Sequence, residues 1–417
     1  MNAVKMTLIA TILALILVTV TASADDVYIS GFLQGIYGGG LHDDNPVPSD
    51  LTASETRLQM KLESYRGSAE FFGRLDFYYD GYNESDYDWE LREGYIKFRM
   101  GDFDFKIGRQ VLTWGTGDLI FINDNFAKDY QSFFIGRDDQ YLKAPQDALR
   151  AAWYSPLGAL DVVWTPKFTP NRVPTGLRLS YYNPLVGDIV GGEQFYMEGR
   201  EPETEFKNSE LSARLKRYFG TADIALYFYK GFYKNPEGMD MATMEAYYPE
   251  LFVYGASMRM PIFEGIFWVE GGYSDSRDDP DGDIPTIPNS EIAGLAGFER
   301  QVANNLTANI QYQATYMVDY DKFEESVGGQ TEVDEVYHLL TSRITQLLRM
   351  ETVVLSGFVF YSPSQEDVYF RFSADYKYND ALTLTLGGNI FDGTEKWTDF
   401  GTFMKNDNLY FKATYGF

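Results

Sequence analysis

Early in this chain, ionisable side chains recur at alternate positions. Arg57, Lys61 and Glu63 share one parity, followed by Glu70, Arg74 and Asp76, then Glu93, Lys97 and Arg99, then Lys106. Successive side chains on an extended strand point to opposite faces, so each set lies on one face. Between them stand Leu58, Met60 and Leu62, then Phe71, Leu75 and Phe77, then Ile96, Phe98 and Met100. Such strands meet two solvents, because an Arg or Lys facing acyl chains at mid-depth costs about 2 to 4 kcal/mol. The chemistry open to the ionic face is electrostatic: a wet wall of mixed charge that sorts polar solutes.

A second set of charges lies in a stretch without clear period, Gly108 to Leu149. There Asp118, Asp124, Asp129, Asp138 and Asp139 are interleaved with Leu119, Ile120, Phe121, Ile122, Phe126, Phe133, Phe134 and Ile135. The stretch is too long for an idle connection, and its apolar groups need cover. Folded against the ionic wall, it would set acid opposite base across a gap narrowed by Asp118, Asp124 and Asp129. The transverse field would order water and favour solutes with a dipole. Otherwise the stretch packs over the barrel mouth with its acids solvated.

Other chemistries find little support. The two histidines, His42 and His338, have no Ser or Asp neighbours at a telling spacing, so the reading is not an enzyme. Asp279, Asp281 and Asp283 offer oxygen ligands to Ca²⁺, but no Glu closes a twelve-residue loop. They read as a solvated acidic loop tip, with divalent bridging to lipopolysaccharide phosphates as the other reading. With no cysteine there is no disulfide framework, no thiolate metal site and no haem-attachment Cys-x-x-Cys-His. No cofactor is implied. A formal net charge of −26 excludes nucleic acid as a partner.

The positioning elements follow from the same alternation. Met1 to Ala24 carries Lys5, an apolar run from Met6 to Val20 and then Ala22-Ser23-Ala24, which reads as a signal peptide removed after Ala24. Residues 25–417 hold repeated period-two segments, beginning at Val27 to Gly39 and closing at Asn408 to Phe417, with tight and long connections in alternation. The long ones fall at about 115–145 and 166–206, and Leu177 to Tyr182 reads as a local strand within the second. All 16 prolines fall in segments read as loops or turns, as expected if the periodic segments are paired strands. The fold class is all-β: a single antiparallel transmembrane β-barrel of about 18 strands (16 to 18), with short periplasmic turns and long extracellular loops.

The last strand sets Leu409, Phe411, Ala413, Tyr415 and Phe417 against Asn408, Tyr410, Lys412, Thr414 and Gly416, and ends on the aromatic. It resembles the C-terminal signature of Gram-negative outer-membrane β-barrels. Glu93-Gly94-Tyr95, Gly108-Arg109-Gln110 and Trp114-Gly115 are similar to the strand pair ahead of the third outer loop in porin-like barrels. The resemblance implies an outer-membrane channel that the assembly machinery recognises through the strand ending at Phe417. It also implies contact with membrane lipid and lipopolysaccharide, and a constriction loop after Trp114. The expected function is passage of small polar solutes with a weak cation preference, by a monomer or a homo-oligomer. The alternatives are an export duct for an acidic polysaccharide, or a sheath around a periplasmic partner such as a haem protein. Arg109 shares parity with the outward Phe103, Phe105 and Ile107; it is read as pore-lining through a bulge at Gly108, and otherwise lies near the outer rim and snorkels.

Overall fold

The computed structural model describes residues 26–82, 86–329 and 331–417; the expected signal peptide lies outside them. Strands form wherever apolar and polar residues alternate. In order they are β1 (Asp26–Gly40), β2 (Leu51–Arg66), β3 (Ala69–Asp80), β4 (Asp86–Met100), β5 (Phe103–Val111), β6 (Pro145–Ser155), β7 (Gly158–Thr165), β8 (Glu210–Phe219) and β9 (Ala222–Phe232). The second half adds β10 (Glu250–Ile262), β11 (Gly265–Ser276), β12 (Glu291–Ala303), β13 (Leu306–Met317), β14 (Val336–Leu348), β15 (Val353–Ser362), β16 (Asp367–Lys377), β17 (Leu382–Gly393) and β18 (Asn408–Gly416).

Each strand pairs antiparallel with the next, and β18 returns to β1 in register from Phe32↔Gly416 to Gly40↔Asn408. The 18-stranded sheet is therefore closed and has no free edge. The turns at 67–68, 101–102, 156–157, 220–221 and 263–264 lie at one end with Asp26 and Phe417, and the long connections 112–144 and 166–209 lie at the other. Within 166–209, Tyr181–Asn183 pairs with Asp188–Val190 as a small hairpin. β4 starts earlier than the alternation suggests, because an extra residue, Arg92, bulges it against β3 between Arg74 and Leu75.

The outward parity carries Leu33, Met60, Phe77, Ile96, Ile107, Leu215, Leu226, Ile310, Ile344, Leu386 and Phe411, all exposed. These form the apolar band that a bilayer would cover. The inward parity holds the ionic residues, and with them a true hydrophobic core. Ile120, Ile122, Phe133, Phe134 and Ile135 of the 112–144 loop pack inside the barrel against Trp268, Leu295, Leu339, Phe358, Phe360, Tyr369 and Phe391 of the wall.

Candidate functional site: the loop inside the barrel

The loop enters the barrel over β11. Glu270, on the inner face and only 1% exposed, receives five hydrogen bonds from the loop. Its Oε2 accepts from Thr116 N (2.5 Å), Thr116 Oγ1 (2.8 Å) and Gly117 N (3.3 Å), and its Oε1 from Asn123 N (2.9 Å) and Asn123 Nδ2 (3.0 Å). A buried carboxylate without a cation is tolerable only when so many donors replace water. The loop tip comes close enough to the wall that a Cβ on Gly272 would meet Ile122 Cγ2 at 2.7 Å.

Beyond that point each acid of the loop has its own partner. Asp118 forms a bidentate pair with Arg343 on β14, at 2.7 and 2.9 Å, and accepts from Asn309 at 3.2 Å. Asp124 pairs with Lys128 inside the loop at 3.0 Å. Asp129 caps the short helix α1 (Tyr130–Phe134) by accepting from Ser132 N at 2.7 Å, and also faces Arg172 at 3.4 Å. Asp138 meets Lys412 on β18 and Gln34 on β1, and Asp139 meets Arg371 on β16 at 3.0 Å. Burial alone would raise the Asp138 carboxyl, but the Lys412 ammonium and the Gln34 amide bring it below the usual range. Phe134 O accepts from Asn389 and Asn408, and Arg137 reaches Glu55 on β2 at 2.5 Å.

The basic wall is neutralised in the same way. Arg57, 2% exposed, lies between Glu55 (2.8 Å) and Asp76 (2.5 Å), with its guanidinium over the rings of Tyr78 and Tyr141. Tyr141 donates to Asp76 at 2.9 Å, which ties the end of the loop to β3. Lys61 pairs with Glu63, Lys97 with Glu70, and Glu93 lies between Arg74 (3.4 Å) and Lys106 (3.8 Å). An open gap with acids on one side and bases on the other, as expected from sequence, is therefore not what forms. Asp118, Asp138 and Asp139 are in direct contact with Arg343, Lys412 and Arg371, so each of these charges has its counter-charge beside it. Their geometry is that of anchors.

Arg109 also departs from expectation. Pairing runs regularly through Gly108, from Gly94↔Arg109 and Tyr95↔Gly108 to Ile96↔Ile107, so Arg109 keeps its outward parity. There it faces Asp147 at 3.4 Å and donates from Nε to Leu91 O at 2.7 Å. The bulge lies on the partner strand. Gly108 is needed for a different reason: φ is +127°, and a Cβ would meet Gly94 O at 2.3 Å.

The bulge turns Arg92 inward beside Glu93. Arg92 is 1% exposed, donates to Gln140 O (2.9 Å) and Lys143 O (3.0 Å), and stacks over Tyr141. Sequence reasoning missed both Arg92 and Glu270. The adjacent pair Arg92-Glu93 in an alternating strand was a usable signal for the first; nothing local marks the second.

The Ca²⁺ candidate is closed by its own backbone. Asp279 Oδ1 accepts from Gly282 N (2.9 Å) and Asp283 N (3.3 Å), and Oδ2 from Ile284 N (2.9 Å), while the Asp281 carbonyl accepts from Lys322. Among the described residues no group of three or more acidic or His side chains is gathered to hold a metal.

Two cavities open into the interior, and the first is bordered by the loop. One, of about 600 Å³, opens among the outer loops and is lined by aromatic residues of the 112–144 loop, β14 to β16 and the 394–407 connection. The other, also about 600 Å³, lies at the turn end beside Arg150, Asp161, Arg214 and Lys216. There Arg150 and Arg214 share Asp161, at 2.6 and 3.1 Å.

A closed barrel with an apolar exterior, an ionic interior and its third outer loop tucked inside defines a class, the porin-like transmembrane β-barrel. OccAB3 of Acinetobacter baumannii shares the fold at 11% identity and a TM-score of 0.55, over 94% of this chain and 99% of that one. Pseudomonas aeruginosa OccK2 (OpdF), solved in complex with glucuronate, is 9% identical with a TM-score of 0.57 over 94% and 98%. OccD3 (OpdP) of the same organism is 10% identical with a TM-score of 0.55 over 94% and 92%. At these identities the likeness is one of fold. No family model and no curated protein matches the chain in sequence.

Proposed function

We propose that the protein is an outer-membrane channel for the passive, selective passage of small hydrophilic solutes. The observation that carries this reading is the inward loop: 112–144 packs within a closed barrel and lines a cavity of about 600 Å³ that opens among the outer loops. A long loop pinned to the wall by Glu270, Arg343, Arg371 and Lys412 sets the width of whatever path remains. The apolar outer band and the strand ending at Phe417 support insertion in the outer membrane by the barrel assembly machinery, with lipid and lipopolysaccharide as surroundings.

Selection in this reading is steric and electrostatic, with a weak preference for cations. Support comes from the formal net charge of −26 and from an outer cavity whose described lining includes Asp399 and no Lys, Arg or His. A polysaccharide export duct would call for an unpaired basic lining, whereas Arg57, Arg74, Lys97 and Lys106 each have a carboxylate partner. A sheath would call for an empty lumen, and here the loop occupies it. Reversal potentials across planar bilayers in a KCl gradient test the reading, with weak cation selectivity expected. Clear anion selectivity would contradict it.

A further inference from the structure

The outer cavity is built from widely separated parts of the chain, three of which supply the groups that matter most. The 112–144 loop supplies Tyr130, the barrel wall supplies Tyr337 and Phe360, and the 394–407 connection supplies Asp399, Phe400 and Phe403. The rings form a connected wall: Phe360 and Phe400 lie 5.5 Å apart, Tyr369 and Phe400 5.7 Å, and Phe134 and Phe403 4.9 Å. A cavity of this size, mostly apolar with a few convergent polar groups, has the character of a small-molecule site. Its polar groups are Asn235, Gln313 and Asp399.

The charge inside it has one sign. Asp399 lines the cavity beside Tyr337, which hydrogen-bonds its side chain, and among the described residues no cation lies within ion-pair distance of it. The charges that act on Tyr130 are those of Asp124, Glu237 and Asp399, all acidic. This contrasts with the rest of the interior, where the acids of the loop are matched to bases. Enclosure by the protein and then the charge of Asp367 push the Asp399 carboxyl above its ordinary range. A cation beside it would favour the ionised form again. Aromatic faces attract cations through the ring quadrupole, and a carboxylate at one end of an aromatic box adds direction.

We propose that this cavity binds a cationic aromatic solute, an arylalkyl ammonium or an N-alkylated heteroaromatic, with the ring among Tyr130, Tyr337, Phe360 and Phe400 and the positive centre at Asp399. The assignment rests on the channel reading for the direction from which the solute arrives; binding itself is separable from transport. Gln313 and Asn235 add hydrogen-bonding capacity for substituents.

The test is isothermal titration of the full-length protein, folded in detergent micelles, with benzyltrimethylammonium. Phenylacetate and benzyl alcohol serve as anionic and neutral counterparts, and empty micelles correct for partition. The ammonium should bind at least tenfold tighter than phenylacetate, and Asp399→Asn should remove most of that difference. Phe400→Leu should weaken the ammonium and the alcohol together. Equal affinity for the three probes, or an unchanged preference in Asp399→Asn, overturns the assignment. Each variant is accepted only with the wild-type β circular dichroism and heat-shifted electrophoretic mobility. Bilayer currents recorded on the same preparations separate the two ideas: a conducting protein that ignores the ammonium refutes the site alone, and a binding protein that never conducts refutes the channel alone.

Discussion

Replacing Glu270 by Gln should detach the loop from β11 almost as well as replacing it by Ala. The carboxylate meets five donors and, among the described residues, no cation, so both oxygens must accept. An amide can keep its oxygen toward Asn123, but its NH₂ then points at Thr116 N, Gly117 N and the Thr116 hydroxyl. The hydroxyl can rotate to accept; the two backbone N–H groups cannot. A buried donor left without a partner costs about 1 to 3 kcal/mol, so two cost about 2 to 6 kcal/mol. At 1.4 kcal/mol per decade, the detached loop becomes roughly 30-fold to 10⁴-fold more populated. Hydrogen exchange at Thr116, Gly117 and Asn123 reads this directly, and open-channel current noise reads its consequence. The strand ladder does not involve these groups, so β circular dichroism should be unchanged. Wild-type protection of those amides in both Glu270→Gln and Glu270→Ala would refute the reasoning.

Other perturbations follow from the same contacts. Arg343→Met should leave Asp118 with only the Asn309 amide and no cation, and raise single-channel conductance and noise, with partial rescue by Asp118→Asn in the double variant. Gly272→Val should displace Ile122, whose Cγ2 lies 2.7 Å from the Cβ position, and give the same increase; unaltered conductance would show that the loop tip does not shape the path. The Asp138 carboxyl titrates below its ordinary range, so its anchoring is complete at neutral pH and is lost only as pH falls through that lowered value. Conductance measured from pH 7 down to pH 3 should therefore rise at the acid end, and the rise should shrink in Lys412→Met. Arg109→Leu should leave conductance untouched while lowering stability by about 1 kcal/mol through loss of the donor to Leu91 O; a conductance change would place Arg109 in the lumen.

The strands were legible because two solvents impose one parity on each of them. Val27 to Gly39 and Asn408 to Phe417 lie within one residue of the observed β1 and β18, and a one-residue slip would turn every Leu and Tyr the wrong way. What failed was local. Gly108 looked like a bulge site, but its positive φ and its approach to Gly94 O explain the glycine, and the bulge forms across the ladder at Arg92. The site was legible in composition and not in pairing. The acids of the 112–144 loop were visible, but their partners were not: Arg343 is 225 positions from Asp118, and Lys412 is 274 from Asp138. No local pattern encodes contacts at such separations. Glu270 was hidden for the same reason, since its five donors come from a segment about 150 positions earlier. The aromatic outer cavity unites residues from Phe121 to Phe403 and exists only once the barrel closes.

The central claim is that the barrel conducts and that the loop inside it limits the path. Single-channel recording of the intact protein and of a deletion of Asn123 to Asp139, in the same planar bilayers, tests both parts together. Discrete current steps from the intact protein, and larger steps from the deletion, are the predicted result. Steps of equal size would move the loop out of the conducting path, and silence from both folded proteins would contradict the channel itself.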